Sequence, residues 1–107
     1  MLFRSQERFE MALDLDPAHL PSLSALRTIA IDEQDWDRAT RYLDQEQSNT
    51  PSARTRAKLL VELGKLRDEQ LSEHDLAVQA YELAIQCDAD SEEAALPLVE
   101  EYIRTER

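Results

Sequence analysis

The chain has 107 residues, and 23 Asp and Glu against 12 Lys and Arg give it a net charge of −11 at neutral pH. That length supports one small core, and an apolar share of 42% is enough to fill it, so the composition is that of a globular and not a disordered chain. The acidity excludes nucleic acid as a partner, since phosphate binding needs Lys and Arg to displace counterions.

Apolar residues recur at three- and four-residue spacing along nearly the whole sequence and nowhere alternate with period two, which predicts an all-helical fold. The first helix is expected over about 3–15, closed by Asp16-Pro17, and the second over about 20–32, closed by Asp32 to Asp35. A third, about 35–47, ends at Ser48-Asn49-Thr50-Pro51, and a fourth, about 52–70, at Gln70 to Glu73. The fifth, about 74–87, stops at Asp88 to Ser91, and the sixth covers about 91–105. Each break carries acceptor side chains suited to turns or N-caps. Connections this short make neighbouring helices antiparallel. Pro97 falls inside the last helix, where it removes a hydrogen bond to the Glu93 carbonyl, so the regular part is expected to start near Ala95.

The sequence also repeats itself. Phe9-Glu10-Met11-Ala12-Leu13-Asp14-Leu15-Asp16 matches Tyr81-Glu82-Leu83-Ala84-Ile85-Gln86-Cys87-Asp88, identical at the Glu, Ala and final Asp positions and chemically close at most others. A weaker copy sets Trp36-Asp37-Arg38-Ala39 and Leu43 against His74-Asp75-Leu76-Ala77 and Tyr81. Alanines set into a bulky apolar stripe let two helices approach closely, the mark of a repeated helical hairpin.

At these residues the chain resembles the tetratricopeptide repeat family, whose pattern is W-x2-L-G-x2-Y in the first helix of each pair, A-x3-F in the second, and a closing proline. Leu60, Leu63-Gly64, Ala77 and Tyr81 follow it, as do Leu23, Leu26, Ala30, Ala39, Leu43 and Pro51. Phe9, Ala12 and Pro17 fit a lone second helix, and Ala95, Leu98, Val99 and Tyr102 an opening first helix. The resemblance implies an all-α, right-handed α-α superhelix, or solenoid, of antiparallel hairpins forming one domain, with units of about 6–18, 19–51, 52–90 and 91–107. Two are full repeats and the end units are halves. Arg67 departs from the pattern where Tyr is usual, Glu46 where a small residue is usual, and the third unit is longer than the 34-residue consensus. Both ends look cut, as in a fragment of a longer bacterial-type member. Leu2-Phe3-Arg4-Ser5 matches a translated sequencing adapter, so residues 1–5 are read as non-native.

Little in the sequence suggests catalysis or a cofactor. One glycine, Gly64, is too few for a Gly-rich phosphate loop. One cysteine, Cys87, allows neither an intrachain disulfide nor a cysteine-rich zinc site, and its alignment with Leu15 makes it a packed, inert thiol. His19 and His74 read as surface residues at helix starts, too far apart in sequence to suggest a metal site, and His74 has no evident second catalytic group. Glu92-Glu93 and Glu100-Glu101 read as solvated faces, Asp88 to Ser91 lacks calcium-loop spacing, and Trp36 reads as core. No apolar run approaches the roughly 20 residues of a membrane span, and there is no signal-peptide pattern. No enzyme activity, cofactor or metal is expected.

One stretch stands apart. Arg54, Arg56, Lys58, Lys65 and Arg67 face only Glu62 in a chain otherwise net acidic on both sides. Helical spacing puts Arg54, Lys58 and Lys65 in one arc, opposite Leu59, Leu63 and Leu66. The family resemblance implies that first helices line a concave, peptide-binding groove, which makes Ser24, Thr28, Asp32, Arg54, Lys58, Glu62 and Lys65 the candidate contacts for a protein or peptide partner. The alternative is that these cations only balance neighbouring acidic helices. The lysine and asparagine clamp that some members use for a peptide C-terminus is missing, since the one asparagine, Asn49, falls in a predicted turn. The expected function is therefore a protein-interaction scaffold in the cytoplasm. The competing expectation is a spacer segment that self-associates through uncovered terminal helices.

Overall fold

The computed structural model describes residues 2–105, with side chains from Ser5 onward. Of the segment read as non-native, Met1 and the side chains of Leu2 to Arg4 lie outside the described residues. The described residues form six α-helices and no strand: α1 (Leu2–Leu15), α2 (Leu20–Asp32), α3 (Trp36–Asn49), α4 (Ala53–Glu69), α5 (His74–Cys87) and α6 (Glu92–Thr105). The helices gather into two compact units, one ending at Thr50 and the other starting at Pro51.

In the first unit α2 packs against both α1 and α3. Leu23, Leu26 and Ala30 of α2 and Ala39 and Leu43 of α3 are fully buried, at the three- and four-residue spacing seen in the sequence. The departure at Glu46 is compensated. Its side chain, 10% exposed, accepts from Arg27 Nε at 2.8 Å, and Arg27 also donates to Ser24 Oγ at 3.0 Å. Helix α3 runs past the expected end to Asn49, because Asn49 Nδ2 donates to the Gln45 carbonyl and Thr50 Oγ1 to that of Glu46, satisfying its last turn.

In the second unit α5 packs along α4, and α6 against α5 with a smaller contact on α4. Ala57, Leu60, Val61 and Gly64 of α4 are buried, as are Ala77, Ala80, Tyr81 and Ala84 of α5 and Ala94 and Leu98 of α6. A Cβ on Gly64 would meet Tyr81 Cε1 at 2.7 Å, so the single glycine makes room for the Tyr81 ring. Helix α6 corrects the expectation at Pro97. It begins at Glu92, capped by Ser91 Oγ accepting from Ala94 N–H at 3.3 Å, and continues through the proline. The carbonyl deprived of a donor belongs to Glu93, an exposed residue, so solvent stays within reach.

The connections repeat as well. After α1, Asp16 N–H donates to the Ala12 carbonyl, Ala18 N–H to Asp16 Oδ1, His19 N–H to the Asp16 carbonyl and Leu23 N–H to that of His19. After α5, Asp88, Asp90, Ser91 and Ala95 donate in the same order to Ala84, Asp88 Oδ1, Asp88 and Ser91. Between α2 and α3, Gln34 takes a left-handed φ of 58° two residues before the helix, and Ser72 takes 55° at the same place before α5. Aspartate at Asp16 and Asp88 explains the first pair, since its side chain bonds the backbone two residues on.

Other expectations need correction at helix ends. Cys87 and Leu15 do correspond, each the last residue of its helix, yet Cys87 is half-buried and Leu15 is 89% exposed. Trp36, the first residue of α3, is half-buried and not core. His19 is half-buried, not on the surface, and its Nδ1 lies 2.6 Å from Oγ of the buried Ser22.

Candidate functional site

The exposed face of α4 forms first. Ser52 caps the helix through its hydroxyl, and burial of Ala57, Leu60, Val61 and Gly64 turns Arg54, Lys58 and Lys65 outward. Leu59 and Leu63 are buried and Leu66 half-buried, so the arcs inferred from spacing hold, with a buried face wider than expected. Lys65 Nζ lies 3.8 Å from Glu93 Oε2 on α6, a solvent-exposed pair, and Glu62 is half-buried.

In the other unit, Ser24 is half-buried and accepts from Arg27, while its carbonyl accepts from Thr28 Oγ1 at 3.0 Å. Thr28 and Asp32 are exposed, and Asp32 borders a cavity of about 390 Å³ beside Ser5, Gln6, Ile29 and Glu33. Ser24 is thus committed to an internal bond, whereas Arg54 and Lys58 stand on open surface.

Lys65 also lines a hollow of about 390 Å³ framed by α4, α5 and α6. Its apolar wall is Val78, Tyr81 and Pro97, and its rim carries Asp68 and Glu69 from α4 and Glu100, Glu101 and Arg104 from α6. No protein-family model matches the chain, and no curated protein matches it. What the hollow can do follows from its own chemistry.

His74 organises one side of it. Its Nδ1 lies 2.9 Å from Asp68 Oδ1 and its Nε2 2.7 Å from Glu101 Oε1, so one imidazole joins the end of α4 to α6 from the first residue of α5. Both ring nitrogens face carboxylate oxygens that can accept from the ring, although Arg104 Nη2, a donor, also approaches Nε2. The hydrogen bond with Asp68 foremost, and then that with Glu101, raises the His74 pKa above its ordinary value. The same bond, followed by that from Arg104, lowers the Glu101 pKa. Arg104 pairs with Glu101 and stands 2.7 Å from His74 Nε2. With both nitrogens in contact with charged groups of other helices, the cluster is a clasp in form. The two carboxylates sit on different ring nitrogens and do not converge, and among the described residues no group of three or more His, Cys, Asp or Glu is placed to hold a metal ion.

Tyr81 is 6% exposed, and burial foremost, then the charges of Asp68 and Glu69, push its phenol above the ordinary value. The sequence pointed to Lys65 and to the packing role of Tyr81, and missed Asp68, Glu69, Glu100, Glu101 and Arg104. No sequence signal pointed to the pairing of His74, because the residues that pair with it come from other helices. No helix among the described residues is long and apolar enough to cross a membrane.

Proposed function

We propose that the chain is a tetratricopeptide-like array of helical hairpins, part of a solenoid, that holds a peptide or protein segment on the exposed faces of first-of-pair helices, α4 and α6 in the second unit. The matched turns after α1 and α5, and the left-handed residues Gln34 and Ser72, support the repeat. So does the close approach of Gly64 to Tyr81. Action is by presentation of a rigid surface, without catalysis, and a cytoplasmic setting with one unpaired cysteine belongs to the same reading.

The observation that carries the binding role is the hollow beside Lys65, an apolar wall ringed by charge at the end of the exposed row Arg54, Lys58 and Lys65. Its volume falls at the low end of ligand pockets, about 300–1,000 Å³, and suits one or two side chains of a longer segment. Selection from a random-peptide display library tests this. The chain is compared with a Lys58→Glu/Lys65→Glu variant after circular dichroism shows equal helicity. Peptides held by the chain and lost by the variant support the assignment, and equal retention contradicts it.

A second reading has its own observation. Leu96, Val99 and Ile103 form an exposed apolar stripe on α6, with Ile103 72% exposed, and Met11 and Leu15 form another on α1. Such surface favours a spacer that stacks on further copies or repeats. Sedimentation equilibrium over rising concentration separates the two, since a spacer gains mass and a peptide-binding module stays monomeric.

A further inference from the structure

The hollow framed by α4, α5 and α6 holds a polar group that makes no bond within the helical packing. Tyr81 is more than nine-tenths buried, is held against Gly64 and lines the hollow, yet its hydroxyl has no hydrogen-bond partner among the described residues. Because the hydroxyl is unpaired within the packing yet still reaches solvent, a donor from outside can reach it too.

The charges around it are uneven. Four carboxylates, those of Asp68, Glu69, Glu100 and Glu101, face two permanent cations, Lys65 and Arg104. Asp68 and Glu101 are occupied by His74 and Arg104, and Lys65 leans toward Glu93, outside the hollow. Glu69 on α4 and Glu100 on α6 have no ion-pair partner among the described residues. Two free carboxylates, an unpaired hydroxyl and the apolar surface of Val78 and Pro97 together match a long side chain with an aliphatic stem and a cationic head.

We propose that the hollow receives an arginine or lysine side chain of the bound peptide, its stem on Val78 and Pro97 and its charge between Glu69 and Glu100, donating to the Tyr81 hydroxyl. The inference rests on the peptide-binding reading and adds the chemistry of the anchoring residue. The net charge of −11 acts in the same direction, because it steers basic segments toward the chain.

The test is a titration of the ¹⁵N-labelled full chain with two end-blocked heptapeptides that differ only in a central arginine or glutamine. The arginine peptide is expected to shift the amides of Asp68, Glu69, Val78, Tyr81 and Glu100 and to bind at least about fivefold more tightly than the glutamine peptide, as two charge-assisted bonds require. A Glu69→Gln/Glu100→Gln variant should lose that preference and keep the weak binding of the glutamine peptide. Tyr81→Phe, which retains the contact with Gly64, should weaken the arginine peptide alone. Equal binding of both peptides, or shifts away from the hollow, overturns the cationic anchor and leaves the peptide-binding reading standing. Absence of any shift also overturns the anchor, and an empty display selection would overturn the peptide-binding reading with it. The comparison between peptides on the unmodified chain does not depend on any variant folding.

Discussion

The side chain of Tyr81 occupies the space that a Cβ on Gly64 would need: a methyl group there would stand 2.7 Å from Cε1 and 2.9 Å from Cζ. Alanine favours a helix over glycine by about 1 kcal/mol, but overpacking a buried contact costs about 1–3 kcal/mol, and Tyr81 is too enclosed to swing away. Gly64→Ala should therefore lower stability by about 1 kcal/mol in urea denaturation. In a Tyr81→Ala background the same change should become neutral or stabilising. Stabilisation in the presence of Tyr81 would mean that the contact is looser than the structure has it.

Arg27 and Glu46 form the half-buried pair of the first unit, with side chains 18% and 10% exposed. Glu46→Ala removes the main acceptor for a guanidinium that water only partly reaches, and should cost about 1–3 kcal/mol. Replacing both, as Arg27→Met/Glu46→Leu, should cost much less, because no charge is then left without its partner. Urea midpoints of the two variants check this, and equal losses would contradict it.

The His74 clasp makes stability depend on pH in two opposite senses. His74 has a raised pKa when folded, so its contribution is complete below its ordinary value of about 6.5 and fades as pH rises through the folded value. Glu101 has a lowered one, so its contribution is complete above about 4.5 and fades as pH falls through the folded value. Attachment of α6 should be firmest between the two. Unfolding midpoints followed from that range to higher pH should decline on the alkaline side, and His74→Gln should flatten that decline. An identical alkaline decline in the variant would rule out the clasp as its origin.

Gln34 and Ser72 hold left-handed backbone at φ values of 58° and 55°. Side chains in that region cost about 1–2 kcal/mol, part of which glycine returns through the greater freedom of its unfolded chain. Gln34→Gly and Ser72→Gly should each stabilise by about 0.5–1 kcal/mol in thermal or urea unfolding. The effects should add, since the two turns are in different units.

Much of the fold was legible because the breaks are chemically loud. Asp16-Pro17, Asp35, Ser52 and Asp88 each punctuate the chain through their own side chains, and the helices begin and end close to them. Gly64 and Tyr81 were both picked out as motif positions, but their contact shows only in the fold. The candidate site was less visible, because ion pairing between helices leaves no periodic trace. Glu46 looked like a defect until Arg27, nineteen residues earlier, met it in the fold. The His74 side chain reaches the surface as its helix-start position suggested, but its pairing was hidden because Asp68 and Glu101 reach it from α4 and α6, and the second lies 27 residues away. Pro97 misled in the other direction, since the rule against proline inside a helix is weaker where the orphaned carbonyl is on an exposed residue.

The most direct test of the binding role is the footprint of a display-selected peptide on the ¹⁵N-labelled chain. The account predicts a continuous run of shifted amides along the exposed face of α4, from Arg54 and Lys58 to Lys65, passing into the hollow at Glu69 and Glu100. An empty selection, or a footprint confined to the apolar stripes of Leu96, Val99 and Ile103 or of Met11 and Leu15, would contradict it and leave the stacking spacer as the better description.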